Sequence, residues 1–298
     1  MSVQVNIPTG TAENLPRVSE WHRLLRVFFF RRVVIFGTIV ILAFIIVAIF
    51  APFIAPYNPY KQNLNEILAQ PSKEHLLGTD SLGRDTLSRI IYGARTSIVI
   101  AVTTLSLAAA IGMTLGLLAG YYGGWINVII MRFIDALMSF PMLLLALIIA
   151  AMLGGGLKNV IIALGVGMLP GYARLMCGQV LSVRENDYVL AEYAIGASNM
   201  RIIFLHIFPN CMPPLIVLIT MMMGLVILAE AGLSFLGIGI EAPAAAWGGM
   251  VAAGYGYLRT NPILSFAPGL AIMLVVFAFN MVGDGLRDAL DPRLRGAL

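Results

Sequence analysis

Six long apolar runs constrain this chain more than any other feature of its sequence. An α-helix rises about 1.5 Å per residue, so about 20 apolar residues cross the hydrocarbon core of a bilayer, which is about 30 Å thick. The six runs span residues 33–51, 98–120, 126–153, 160–181, 214–238 and 263–283. Only 11% of the 298 residues are charged, against about 25% in a typical soluble domain. The sequence therefore predicts an all-α transmembrane protein with six spans.

The distribution of Lys and Arg predicts which side of the membrane each loop faces. With a cytoplasmic N-terminus, twelve of the 19 Lys and Arg residues fall on the inner side, as the positive-inside rule requires. The predicted order is an inner tail (1–32), a first span (33–51), an external segment (52–97), a core of five spans (98–285) with an inner loop (182–213), and an inner C-terminal tail (286–298). Although the net charge is +4, the basic residues form no single face, so we expect no nucleic-acid binding.

The inner loop contains a segment that we call the knob, residues 185–210. Here Asp187 is predicted to cap a short helix that Gly196 ends, and Ser198 to cap a second helix that Pro209 breaks before the fifth span. The apolar residues of the knob are Val189, Leu190, Ile195, Ile202 and Ile203. Two interpretations follow: the knob packs against the ends of its own membrane helices, or it docks into a groove on a partner protein.

The knob resembles the EAA loop of ABC-importer permeases. The family pattern is Glu-Ala-Ala, three residues, Gly, a spacer and a Pro-Asn ending. This chain has Ala191-Glu192-Tyr193, then Gly196, then the ending at Pro209-Asn210, and it departs from the pattern in having Tyr193 where a small residue is usual. The resemblance implies that the loop couples the permease to an ATPase through Ala191, Glu192, Tyr193, Gly196, Ala197 and Arg201.

Three further stretches resemble one branch of that family, the permeases of dipeptide, oligopeptide and nickel importers. They are residues 75–95 (HLLGTDSLGRDTLSRIIYGAR), residues 230–239 (EAGLSFLGIG) followed by Trp247-Gly248, and residues 280–292 (NMVGDGLRDALDP). Together with the knob they extend the resemblance over most of the chain. They are similar to the second of the two permeases that such systems carry.

The resemblance implies a six-helix type I ABC-importer permease bundle that works by alternating access. It also implies four partners besides the lipid bilayer: a homologous permease, two cytoplasmic ATPase subunits and an extracytoplasmic substrate-binding protein. The expected location is the cytoplasmic membrane of a bacterium or archaeon. The chain has no G-x-x-x-x-G-K-[ST] phosphate loop, so ATP and Mg²⁺ are expected on the ATPase subunits, with no cofactor and no catalytic residue here.

Charged, glycine-rich and methionine-rich positions inside the spans are candidates for the translocation path. Within the spans, Arg132 and Asp135 are one turn apart and are predicted to pair, whereas Arg174 extends to the inner interface. Glu230 is the deepest carboxylate, and it either serves the pore or gate or hydrogen-bonds to a neighbouring helix. The glycine-rich fourth span is expected inside the bundle beside the path. The candidate path residues are Met138, Pro141, Met168, Met222 and Glu230.

The substrate class is less constrained than the fold. Cys177, Cys211 and the three histidines are far apart in sequence and form no metal-ligand pattern, which favours peptides over nickel or a nickel chelate. A rival from another class is an ion-coupled secondary transporter, which predicts inverted repeats and several buried ionisable groups. An intramembrane enzyme is a further alternative, but no motif supports it.

Overall fold

The computed structural model describes residues 25–290, and these residues form helices and loops without a β-strand. The main helices are α1 (Arg32–Ile54), α2 (Thr86–Tyr122), α3 (Gly124–Met138), α4 (Met142–Leu153), α5 (Leu157–Val183), α6 (Asp187–Ala194), α7 (Asn199–Phe235), α8 (Trp247–Tyr255) and α9 (Ile263–Leu290). Five of them are long and apolar enough to cross a membrane, and α3 with α4 makes a sixth candidate. The predicted all-α membrane bundle is confirmed. Residues 1–24 and 291–298, which belong to the two predicted tails, lie outside the described part.

The predicted third span is not one straight helix. Between α3 and α4 the chain bends by 87°. Pro141 stands immediately before α4 with an extended ψ of 130°, and Ser139 ends α3. A proline cannot donate a backbone hydrogen bond, and it disfavours helical geometry in the residue that precedes it. The apolar pattern of residues 126–153 conceals this break because both halves are strongly hydrophobic.

The predicted fourth span is, by contrast, an unbroken helix. Helix α5 passes through Pro170 without interruption. In its most apolar stretch of 18 residues, 61% of the residues are buried, against 22% in the corresponding stretch of α1. Its expected position inside the bundle is therefore confirmed. Three glycines of α2 explain the close fit, since a Cβ added at Gly112, Gly116 or Gly120 would come within 2.3–2.8 Å of α5 atoms. Small residues spaced by four allow two membrane helices to approach this closely.

Helix α7 corrects another expectation, because Pro209 does not break it. The helix begins at Asn199, takes a π-helical form over Ile202–Ile207 and continues as an α-helix to Phe235. Pro209 falls in the first turn of the α-helical part. Its missing N–H costs less there than in a regular helix interior, because the π-helical stretch just before it already interrupts the i→i−4 hydrogen-bond ladder.

The bundle has two ends that differ in structure. At the knob end, the knob lies near the start of α1 and the end of α9, where Arg31 and Asp288 form an ion pair of 3.0 Å. At the opposite end, the loop end, residues 55–85 pack against residues 236–262. Two carbonyl oxygens, of Pro59 and Pro243, accept hydrogen bonds from the Arg89 guanidinium at 3.1 and 3.4 Å, and Gln70 donates one to the Thr260 carbonyl. Loops distant in sequence thereby form one cap.

Candidate functional site

The knob folds as two helices that meet at a tight turn. Helix α6 begins at Asp187 with Asn186 in the N-cap position, so the predicted cap at Asp187 was one residue too late. Asp187 instead lies in the first turn, where a carboxylate interacts favourably with the helix dipole. Ser198 is the N-cap of α7, although its side chain makes no capping hydrogen bond.

Gly196 makes the turn between the two helices possible. Its φ is +78°, in the left-handed region that other residues avoid. The Ala197 N–H donates to the Glu192 carbonyl at 3.0 Å, and the Gly196 N–H donates to the Tyr193 carbonyl at 3.1 Å. These two bonds close the end of α6 in the manner of a Schellman motif, which satisfies carbonyls that would otherwise be orphaned there. No atom lies within 4 Å of a Cβ placed on Gly196, so the demand for glycine is conformational and not steric.

The apolar residues of the knob divide into an inner and an outer set. Val189, Ile202 and Ile203 are buried in the same core cluster as the membrane helices. Leu190 and Ile195 are 49% and 77% exposed. The two interpretations of the knob are therefore compatible, because one set anchors it to its own bundle and the other remains uncovered in this chain.

Glu192 and Tyr193 tie α6 to other parts of the bundle. A carboxylate oxygen of Glu192 lies 3.3 Å from a ring nitrogen of His206, without hydrogen-bond alignment, and the other lies 4.0 Å from the Arg201 guanidinium. The ring of Tyr193 stacks on that of Tyr121 at the end of α2, with centroids 6.4 Å apart. A small residue at position 193 could not make this contact.

Tyr121 is a residue that the sequence analysis missed. Besides stacking on Tyr193, its hydroxyl donates to the side chain of Asn199 at 2.9 Å, so it holds both halves of the knob against α2. Nothing in the sequence distinguishes this tyrosine, because aromatic residues are common at the ends of membrane spans.

The structure brings the predicted coupling residues onto this one element. Four of them are exposed: Ala191, Tyr193, Gly196 and Arg201. The other two, Glu192 and Ala197, are half-buried. Their role in coupling stays a prediction.

The predicted path residues have contrasting environments. Met138 and Pro141 are exposed at the bend between α3 and α4, and Met222 is half-buried against the core. Met168 is only 5% exposed and Glu230 only 1%, so both lie within the interior of this chain. Their assignment to the path stays a prediction.

The charged residues of α3 and α5 form a cluster different from the one expected. Arg132 lies 3.7 Å from Asp135, as the one-turn spacing predicted. Arg174 of α5 donates a hydrogen bond to Asp135 and so links two helices, a contact that the sequence did not predict; its extension to the inner interface stays a prediction.

Glu230 finds its partner within its own helix and not on a neighbour. The Ser234 hydroxyl donates to the Glu230 carboxylate at 2.6 Å and accepts from the Ile240 N–H at 3.1 Å. The second carboxylate oxygen is buried and has no hydrogen-bond partner among the described residues. Gly239 permits this arrangement, because a Cβ there would collide with the Ser234 hydroxyl.

The motif of residues 75–95 builds a charged scaffold at the loop end. His75 lies 2.8 Å from Asp85 and 3.3 Å from Glu66, and Asp85 also caps α2 through the Ser88 N–H at 2.7 Å. The hydrogen bond to Asp85 raises the pKa of His75 above 6.5 against the opposing effect of burial, and Glu66 adds to the increase. Within residues 25–290, no group of three or more His, Cys, Asp or Glu residues is arranged to hold a metal ion.

Comparison with known protein families gives two matches. The family described as binding-protein-dependent transport system inner membrane component matches residues 112–296. The family described as N-terminal TM domain of oligopeptide transport permease C matches residues 19–71. Together they cover both the first span and the core that contains the knob.

Similar curated proteins carry peptide-transport names. The dipeptide transport system permease protein DppC of Alkalihalophilus pseudofirmus is 43% identical over 278 residues, which are 93% of this chain and 91% of that protein. The di/tripeptide transport system permease protein DppC of Pseudomonas aeruginosa is 43% identical over 88% of each chain. Among solved structures, an inward-facing MetNI methionine ABC transporter has a chain that matches with a TM-score of 0.55 and 19% identity, covering 68% of this chain and 96% of that one. This last likeness concerns the fold alone.

Proposed function

The chain belongs to the family of binding-protein-dependent transport system inner membrane components, and from that premise we propose that it forms half of a translocation pathway for di- and oligopeptides. It is the permease subunit of an ATP-driven importer. The peptide substrate is supported by the names of relatives that are about as long as this chain and 43% identical to it.

The two ends of the bundle face opposite sides of the membrane. The knob end faces the cytosol, where two ATPase subunits bind, and the loop end faces outward, where a substrate-binding protein delivers peptide. The positive-inside distribution of Lys and Arg supports this orientation. A second, homologous permease supplies the other half of the pathway.

The observation that carries the proposal is the uncovered apolar surface of an otherwise well-anchored knob. Leu190, Ile195 and Met200 are 49%, 77% and 65% exposed at the knob end. They lie on α6, in the turn that follows it and at the start of α7, and uncovered apolar side chains on a helical element are suited to docking in a groove of a partner. Because Tyr121 ties the knob to α2, and α2 packs tightly on α5, a displacement of the knob by the ATPases is transmitted to membrane helices. Such coupling requires an element with two discrete arrangements.

Substrate uptake in a strain that lacks the chromosomal copy tests the proposal directly. The strain, complemented with this chain and its partner subunits, is offered labelled dipeptides, labelled oligopeptides and nickel. We expect ATP-dependent uptake of peptides. Uptake of nickel alone would contradict the peptide assignment, and uptake by purified chain in liposomes without an ATPase would favour an ion-coupled transporter.

A pair of matched variants tests the docking surface. Ile195→Ala removes apolar area from the exposed face of the knob, and we expect docking to the ATPase to weaken about tenfold, with a corresponding loss of uptake. Ile39→Ala is the control, because Ile39 is also strongly exposed, at 60%, but lies in α1. Equal uptake by the two variants would show that the knob does not dock through this face.

A further inference from the structure

A groove at the knob end is not used by the proposed function. It has a volume of about 650 Å³ and lies between the C-terminal parts of α5 and α9 and residues 210–221 of α7. This volume is within the range of about 300–1,000 Å³ that is typical of small-molecule sites. Its polar groups are Gln179 from α5, Asn210 from α7 and Arg287 from α9, and no carboxylate lines it.

Arg287 is the one charged residue among the described residues that line the groove. Arg287 forms no ion pair with any residue in the range 25–290, and the adjacent Asp288 is paired with Arg31. A cation in the last turn of a helix is also favourable for the helix dipole, so its presence alone does not indicate a ligand. The arrangement of the remaining groove residues supplies the second observation.

Polarity changes along the groove in the direction of the α7 axis. Beyond Asn210, the apolar lining of α7 runs from Pro213 to Met221, eight positions or about 12 Å along the helix axis at about 1.5 Å per residue. Along this length the wall consists of Pro213, Pro214, Val217 and Leu218, and Leu175 faces it from α5. The groove is therefore polar at the end of the bundle and apolar over most of the depth of one leaflet, which is half of the hydrocarbon thickness of about 30 Å.

We propose that this groove binds an anionic phospholipid of the cytoplasmic leaflet. The phosphate contacts Arg287 and the amides of Gln179 and Asn210, and an acyl chain lies along the apolar wall. One amide N–H of Asn210 is committed to the His206 carbonyl at 2.7 Å, which orients the rest of that side chain. Basic pockets between membrane helices on the cytoplasmic side are suited to lipid headgroups.

A peptide in transit fits this groove less well. Each peptide residue brings a backbone N–H and a carbonyl, and each loses hydrogen bonds when it leaves water. The wall from Pro213 to Met221 offers no side chain that replaces them. An acyl chain carries no such groups, so it loses nothing by entering. The choice of the cytoplasmic leaflet rests on the orientation given with the proposed function, whereas lipid binding itself does not.

Native mass spectrometry of the purified full-length chain, with the subunits that copurify, tests the proposal. The detergent-solubilised protein is titrated with phosphatidylglycerol, with phosphatidylcholine, or with glycerol phosphate as a headgroup that has no acyl chain. We expect phosphatidylglycerol to bind most tightly. Arg287→Gln should weaken its binding about fivefold, the effect of one cation at a membrane surface. Leu218→Trp should weaken both lipids, because the larger side chain fills the apolar part of the groove.

The matched control is Arg32→Gln, which removes an exposed cation at the same end of the bundle but outside the groove. Equal loss of phosphatidylglycerol in the Arg287 and Arg32 variants would overturn the proposal, as would equal affinity for the two lipids. Competition by glycerol phosphate at the concentrations at which the lipid binds would instead indicate a site for free phosphates and overturn the assignment to a lipid.

If the groove variants abolish peptide uptake with lipid binding unchanged, the groove belongs to the substrate path, and the lipid proposal is wrong. Because lipid retention is measured without transport, its outcome is independent of whether the importer carries peptides.

Discussion

Gly196 offers the sharpest test of the knob, because its role is purely conformational. Its φ of +78° lies in the left-handed region, and no atom stands within 4 Å of the point that a Cβ would occupy. Replacing it with alanine therefore adds no clash but imposes the cost of left-handed backbone on an L-residue, about 1–2 kcal/mol. That cost shifts the equilibrium away from the native turn by a factor of about 5–30.

Three substitutions separate conformation from bulk. Gly196→Asn keeps most of the native population, because asparagine tolerates the left-handed region, and uptake should stay near the unmodified level. Gly196→Ala should reduce uptake, and Gly196→Val should abolish it, because a β-branched residue is a strong outlier at positive φ. Membrane insertion should survive in all three, since a Cβ at residue 196 would contact nothing within 4 Å in this chain.

The assay compares peptide uptake with the amount of chain inserted in the membrane, measured on the same cells. The expected order of uptake is Asn above Ala above Val at equal insertion. Normal uptake by Gly196→Val would refute the coupling assignment. Equal losses in Asn and Val would show that the knob tolerates no side chain at this position, and the explanation from φ would then be wrong.

Three further tests concern Gly116, His75 and Glu230. Gly116→Ala brings a Cβ into collision with a carbonyl oxygen of α5 and should lower the melting temperature of the purified chain, whereas Gly178→Ala in α5 meets no atom within 4 Å and should not. The acidic neighbours of His75 raise its pKa above 6.5. The stability that protonated His75 contributes is therefore complete below pH 6.5 and is lost as the pH rises through the raised pKa. Melting curves of His75→Gln should lack this decline. Glu230→Gln should impair uptake with the assembled complex intact, and unchanged uptake kinetics would assign the residue to packing. Ser234→Ala, which removes the only side-chain hydrogen bond that Glu230 receives within residues 25–290, should reproduce part of that loss.

The sequence predicted some local features of the knob correctly and others wrongly. Gly196 was identified as the end of α6 because a helix C-terminus commonly requires a residue that adopts positive φ, and glycine does so without cost. The effect of Pro209 was misjudged, because the π-helical stretch before it depends on how Ile202, Ile203 and Ile207 pack into the core. Proline marks a position of constraint, and the surrounding structure decides whether the chain bends there.

The comparison between Pro141 and Pro170 makes the same point inside the membrane. Helix α5 continues through Pro170, where α2 packs closely against it, whereas the chain bends by 87° at Pro141. Both prolines stand in apolar sequence, so hydropathy cannot distinguish them. Tertiary packing determines which one interrupts a span.

By itself, the sequence determined the number of apolar segments, the membrane environment and the glycine that ends α6. These follow from hydrophobicity and local backbone preference, which act over one helix at a time. Only the tertiary structure decided that Tyr121 holds the knob, that Arg174 reaches Asp135, and that one polar group from each of α5, α7 and α9 meets in a single groove. Such contacts join residues on different helices, and the rotation of each helix about its axis is set by packing against its neighbours and not by its own sequence pattern.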